Sequence, residues 1–203
     1  MRRPTRILVF VLTLVWIVTP GASQASQTSV EFSGDLVITG PDSTLKTKLY
    51  VKNPYIHRVE MSKEAGGMVF IRPPEARGKI WMLDPVKKQY SILSWPENHR
   101  DPVEAWTDIQ HDMGGGPKDK GTINGYPCKI FHFRYKDEDR IALKMWYAEE
   151  LKFSIKREAD AQIAVEKGAD PASIKGTFEI LNIKVEKLDD ALFEVPTGYV
   201  EVQ

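Results

Sequence analysis

Between residues 66 and 95 the sequence GGMVFIRPPEARGKIWMLDPVKKQYSILSW sets three short apolar runs, 68–71, 80–83 and 90–93, between turn-forming residues. Pro73-Pro74 and Gly78 separate the first pair of runs, and Asp84-Pro85 with Lys87-Lys88 the second. Each run is too short for a buried helix and rich in β-formers, and links of roughly half a dozen residues are those of an antiparallel meander. The stretch predicts a continuous sheet. Successive residues of a strand face opposite sides, so Ile80 and Met82 share one face and Trp81 and Leu83 the other. Both faces are apolar and each needs a cover. One cover can be an ordinary helix or loop; the other can be a ligand.

The chain opens with Arg2, Arg3 and Arg6, an apolar run over 7–18 broken only by Thr13, then Pro20, Gly21 and Ser23-Gln24-Ala25. This is the pattern of a cleaved secretory signal, and the run is well short of the ~20 residues of a membrane span. Residues 1–25 are read as signal peptide and 26–203 as a single domain exported to the periplasm. No cysteine stands near the cleavage site to carry a lipid anchor. Lys and Arg number 28 against 28 Asp and Glu, and losing the three signal arginines leaves 25 against 28, a net charge of −3. Bulk positive potential for nucleic acid or an anionic membrane is therefore absent from the expectation. Cys128 is the only cysteine. Without an internal disulfide the mature chain is held by its core, which ~180 residues can supply.

In chain order, 28–40 alternates with Val30, Phe32, Leu36 and Ile38 in register, Pro41-Asp42-Ser43 turns, and 45–52 returns as a hairpin partner. Asn53-Pro54 ends that strand, and 55–61 places Tyr55, His57, Val59 and Met61 on one face. After the meander, Asp101-Pro102-Val103-Glu104 reads as an N-cap, a first-turn proline and a capping acid. Val103, Trp106, Ile109 and Met113 then recur at near-helical spacing up to Gly114-Gly115-Gly116. That amphipathic helix is placed to cover a sheet face. Strands are expected again over 129–135, 141–147, 151–156 and 174–188, a helical turn or two over 160–168, a single turn at 189–193 and a short strand at 199–202. The fold class is mainly β (α+β), a sheet with one or two short helices covering it.

No chemistry is spelled out by motif. His57, His99, His111 and His132 are scattered without metal-ligand spacing. Residues 114–121, GGGPKDKG, lack the phosphate-loop pattern and read as a mobile loop. Cys128 and His132 fall on one side of a strand but about 13 Å apart, too far for an activated thiolate. The expectation is a protein that is not an enzyme and needs no cofactor. Apolar supply is what stands out: Trp81, Trp95, Trp106 and Trp146, with Met61, Met68, Met82, Met113 and Met145 in or beside the sheet and helix. These residues fill a core, or they line a pliable cavity suited to acyl chains.

The order of motifs resembles the LolA-type lipoprotein carriers and the wider set of outer membrane lipoprotein-sorting proteins. The similarity lies in Leu49-Tyr50-Val51-Lys52-Asn53-Pro54-Tyr55, in Ile80-Trp81-Met82-Leu83-Asp84-Pro85 with Gln89, and in Phe193, Pro196, Gly198 and Tyr199. The resemblance implies an incomplete antiparallel β-barrel whose concave face holds acyl chains beneath a helical lid. It implies a cavity drawn from Leu49, Val51, Tyr55, His57, Val59 and Met61, joined by Phe70, Trp81, Leu83, Trp106 and Trp146. Where the carrier has a lid-holding arginine, this chain has Asn53, and its first strand follows at once where the carrier begins with a helix. The function implied is binding or carriage of lipid or a lipidated protein by a monomer. The alternative is a periplasmic sensor that docks a membrane-protein partner.

Overall fold

The computed structural model describes residues 30–53, 56–72, 79–94, 117–134, 141–163 and 172–202. Alternating apolar positions build a first run of strands: β1 (Phe32–Thr39), β2 (Thr44–Asn53), β3 (Ile56–Met61), β4 (Val69–Arg72), β5 (Lys79–Asp84) and β6 (Gln89–Ser94). Each is antiparallel to the one before. A second run, β7 (Pro117–Ile123), β8 (Tyr126–Arg134), β9 (Ile141–Ala148), β10 (Phe153–Ile163) and β11 (Ala172–Val185), repeats the pattern. The two runs become one sheet because β11 pairs with β1, while a short β12 (Val200–Glu201) lies parallel to β6. The order of this 12-stranded sheet is β12-β6-β5-β4-β3-β2-β1-β11-β10-β9-β8-β7. It is an open, almost wholly antiparallel sheet that does not close into a barrel, as the mainly β expectation and the half-barrel resemblance require.

Turn chemistry places the hairpins. The Gly40 N–H donates to the Ser43 carbonyl at 2.8 Å across the β1–β2 turn. At the β5–β6 turn the Asp84 carboxylate accepts from the Val86 and Lys87 N–H groups, both at 3.0 Å. Between β7 and β8, Asn124 and Gly125 both take positive φ, 51° and 86°, the Asn-Gly signature of a tight hairpin.

The β1–β11 seam is where the runs must be matched. Register slips between Ser33 and Asp35, and Asn182 opposite takes φ 51°, so β11 carries a bulge. The Asn182 side-chain amide donates to Asp35 Oδ2 at 2.7 Å. A Cβ on Gly34 would lie 2.6 Å from Ile180 Cγ2 and 3.2 Å from the Leu181 carbonyl oxygen, so only glycine fits the close approach here. Beyond the bulge, Ser33 Oγ donates to Glu186 Oε1 at 2.7 Å and the Leu188 N–H to Glu31 Oε2 at 2.6 Å.

From there the chain crosses one face of the first run. A 3-10 turn, Asp190–Phe193, is capped by the Asp189 carboxylate on the Ala191 N–H at 3.0 Å. Leu188 and Phe193 are buried against Val69, Ile71 and Leu83, with Trp81, Tyr90 and Tyr199 around them. Arg58 Nη1 donates to the Leu192 carbonyl at 2.9 Å, and Lys52 pairs with Asp190. This segment is the cover of that face, here called the outer one.

Two expectations are corrected. Residues 160–163, expected to be helical, continue β10 and pair with β11, from Asp160↔Lys175 to Ile163↔Ala172. A ladder already formed overrides a local pattern with little apolar content; residues 164–168 lie outside the described residues. Residues 117–121, expected to be loop, form β7 against β8, with Gly121 opposite Cys128. The strand is at the sheet's edge, where a leading proline costs no ladder bond. The expected helix over 101–113, with Trp106, lies outside the described residues.

Candidate functional site: the inner face of the sheet

Directly opposed residues in a ladder project to the same side, so the registers sort side chains by face. One row runs Gly34–Leu49–Val59–Phe70–Met82 across β1 to β5. Its neighbours are Leu36–Thr47–Met61 and Phe32–Val51–His57–Arg72. Across the seam the same face continues as Leu45–Ile38–Phe178–Arg157–Met145–Phe131. Phe32, Leu36, Leu49, Val51, Val59, Phe70, Met145 and Phe178 are all buried within the larger of two apolar clusters. This inner face is a largely apolar wall spanning both runs of strands, interrupted by the buried Thr47, Arg72 and Arg157.

The expected cavity residues divide between the faces. Leu49, Val51, Val59, Met61 and Phe70 come together on the inner face, and the backbone register of β3 puts His57 in the same row as Val51. Trp81 and Leu83 alternate with Met82 and belong to the smaller outer cluster, under the C-terminal segment. Trp146 sits in the row Ile130–Trp146–Lys156–Glu179–Val37, one step from Met145 and hence on the other side. Its ring carries the ammonium groups of Lys144 and Lys156 at 4.7 and 5.0 Å. A step of one residue reverses the face; Trp81 and Leu83 serve the outer cluster, whereas Trp146, set on the other side by register, is buried as part of the larger cluster. Tyr55 and Trp106 lie outside the described residues.

Polar groups on the inner face escaped the sequence. Arg157 is 1% exposed and Ser154 fully buried. Arg157 Nε donates to Ser154 Oγ at 3.0 Å, and the guanidinium carbon lies 4.9 Å from the Phe178 ring centroid. Burial in the apolar cluster pulls the guanidinium down to about 9, which leaves it charged at neutral pH. Arg72 and Thr47 are buried as well, Thr47 Oγ1 donating to the Glu60 carbonyl. A signal existed: Arg157 stands two residues before the buried Ala159, and Arg72 two after the buried Phe70, each in an apolar register.

The outer face carries a shallow groove of about 580 Å³ over β1, β2 and β3, lined by Asp35, Lys46, Lys48, Glu60 and Lys63 around Val37. Asn182 and then Lys48 hold the Asp35 carboxyl below its usual value. Burial pushes the Cys128 thiol up, away from thiolate reactivity. Among the described residues no three His, Cys, Asp or Glu side chains gather as a metal site, and no helix is long and apolar enough to cross a membrane.

The fold is similar to that of an uncharacterized conserved protein from Thermus thermophilus, at 11% identity and a TM-score of 0.52, covering 86% of this chain and 90% of that one. It is similar to MucB in the Pseudomonas aeruginosa MucA/MucB complex, at 12% identity and a TM-score of 0.53, over 91% of this chain but only 59% of that one. A LolA superfamily protein from Nitrosomonas europaea also aligns, with 12% identity, a TM-score of 0.36, and coverage of 92% and 96%. At these identities the likeness to the first two is one of fold. No curated protein matches the sequence. Residues 32–155, more than half of the chain and the strands that carry the inner wall from β1 to the start of β10, match the family described as Domain of unknown function (DUF4412), and the chain belongs to that family.

Proposed function

We propose that this protein is an exported, periplasmic binding or carrier module that takes lipid acyl chains, or the acylated end of a lipidated protein, on the inner face of its sheet. The observation that carries this reading is the apolar row Leu49–Val59–Phe70–Met82, continued beyond the seam by Ile38 and Phe178 and, past Arg157, by Met145. Met61, Met82 and Met145 supply side chains that repack around ligands of differing shape. The arginine-led apolar segment over 1–25 supports delivery to the periplasm. Native mass spectrometry of protein purified from the periplasm tests the proposal. Co-purified phospholipid or lipoprotein is expected; protein that stays empty when offered either one overturns it.

A second reading, a sensor that docks a membrane-protein partner, is favoured by the charged groove on the outer face and by the fold's likeness to MucB, solved in complex with MucA(peri). On that reading, charge reversal at Lys46 and Lys48 abolishes capture of the partner and leaves lipid occupancy unchanged.

A further inference from the structure

Four large apolar side chains are exposed among the described residues, Val86, Val185, Val200 and Val202, and three of them lie at one corner of the sheet. Val86 is 90% exposed in the turn between β5 and β6, and Val200 and Val202 are 63% and 36% exposed at the last strand. The Val200 N–H donates to the Lys88 carbonyl at 3.0 Å and the Val202 N–H to the Tyr90 carbonyl at 2.8 Å, which sets β12 beside that turn. Val200 is opposite Gln89 and Gln89 opposite Asp84, two residues from Met82. Val200 and Val202 therefore stand on the inner side, at its rim. No local need puts a valine at 86: the Asp84 carboxylate already holds the Val86 and Lys87 N–H groups, and Asn, Asp, Ser or Gly suit a turn better. Apolar residues exposed singly are ordinary, whereas three at one corner mark a surface that meets something apolar.

Lysines flank the valine tip. Lys87 Nζ lies 3.2 Å from Asp84 Oδ2 with its side chain 69% exposed, and no carboxylate among the described residues pairs with Lys88. The other acid of this corner, Glu201, accepts from the Tyr90 hydroxyl at 2.9 Å on the outer side. Resting on the acyl-binding reading and deepening it, we propose that this corner is where the protein meets an anionic bilayer. The Val86 tip enters the headgroup boundary, Lys87 and Lys88 lie against lipid phosphates, and the Val200–Val202 rim leads an acyl chain toward Met82 on the inner wall. A second copy would cover the same valines, but β12 is two residues long, too short an edge for strand pairing, and Val86 projects from a turn that offers no ladder. The mature chain carries a net charge of −3, so the attraction is local and the contact brief, as a carrier that leaves the membrane again requires.

Flotation with vesicles of phosphatidylethanolamine and phosphatidylglycerol, and with vesicles of phosphatidylcholine alone, reads docking. Uptake of pyrene-labelled phosphatidylglycerol from the first kind reads transfer, and palmitate titration without vesicles reads the inner face. The anionic vesicles are expected to bind the protein better, and less so as salt rises. Val86→Glu should weaken docking and slow uptake by roughly tenfold, the loss expected when one valine no longer enters an apolar phase. Val86→Leu should strengthen docking about three- to fourfold, for one added methylene. Lys87→Gln with Lys88→Gln should remove the preference for anionic vesicles. None of these changes touches the inner wall, so palmitate affinity should stay as it was. Absence of flotation with pure lipid vesicles, or docking and uptake that survive Val86→Glu, overturns the proposal and leaves acyl binding standing. A Val86→Glu that shifts the sedimentation of the protein and not its docking assigns the corner to a second copy and overturns it as well. Palmitate that fails to bind the unaltered protein overturns the acyl reading, and flotation still decides the corner.

Discussion

Gly34 has room for no side chain, because β1 and β11 close on each other where the bulge at Asn182 slips the register. Gly34→Ala sets a methyl against Ile180 Cγ2 and should cost about 1 to 3 kcal/mol in denaturant unfolding, as overpacking does. Ile180→Ala removes the clashing group, so the double variant should be less destabilised than the two single changes summed. Strict additivity would mean that the approach is not what constrains residue 34. The neighbouring Asp35 gives a pH effect of definite sign. Its carboxyl is held below 3.8 by the Asn182 amide and then by Lys48, so the folded state binds its proton less readily than the unfolded chain does. That contribution is present above 3.8 and is lost as pH falls through the lowered folded value. In Asn182→Ala the Asp35 titration, followed by carbon NMR of the carboxyl, should move up toward 3.8; an unmoved titration would leave the amide without that role.

Among the elements, the C-terminal segment is the one whose role follows least from its own sequence and most from its packing. Leu188 and Phe193 complete an outer cluster that is small and separate from the inner one. Phe193→Ala should cost about 3 to 5 kcal/mol, expose Trp81 to acrylamide, and leave inner-face binding intact. Loss of ligand binding in a folded Phe193→Ala would show that the two clusters are coupled. Strands with clean alternation, such as Phe32-Leu36-Ile38 and Leu49-Val51, were legible in the sequence because period-2 patterning is a local property. The extension of β10 through Ile163 and the start of β7 at Pro117 were not, since both depend on a partner strand elsewhere in the chain. The β1–β11 pairing, Leu36 with Ile180, joins residues at opposite ends of the domain, and no local pattern encodes it.

At the scale of the whole molecule, one sheet has two apolar faces, and the chain's own C-terminal segment covers one of them. The candidate site was half legible for that reason: His57, Val59 and Met61 followed from alternation within β3, whereas Trp81, Leu83 and Trp146 were drawn in by their apolar character, although register sets them on the other side. Arg157 stayed hidden because a single arginine in an apolar register looks like a strand end until the fold surrounds it. Val59 tests which kind of wall the inner face is. It is buried between Leu49 and Phe70 in the central row. If the face opens to admit acyl chains, the carboxylate of Val59→Glu reaches water when the ligand leaves. The variant then folds with a loss of about 1 to 2 kcal/mol, and acyl binding falls sharply. This is the expected outcome, read by thermal unfolding beside palmitate titration. A permanently closed core would instead bury an unpaired charge at a cost of several kcal/mol, and the variant would fail to accumulate. That failure would turn the inner face from a binding wall into a structural one, and folded Val59→Glu with undiminished binding would move the lipid site off this face altogether.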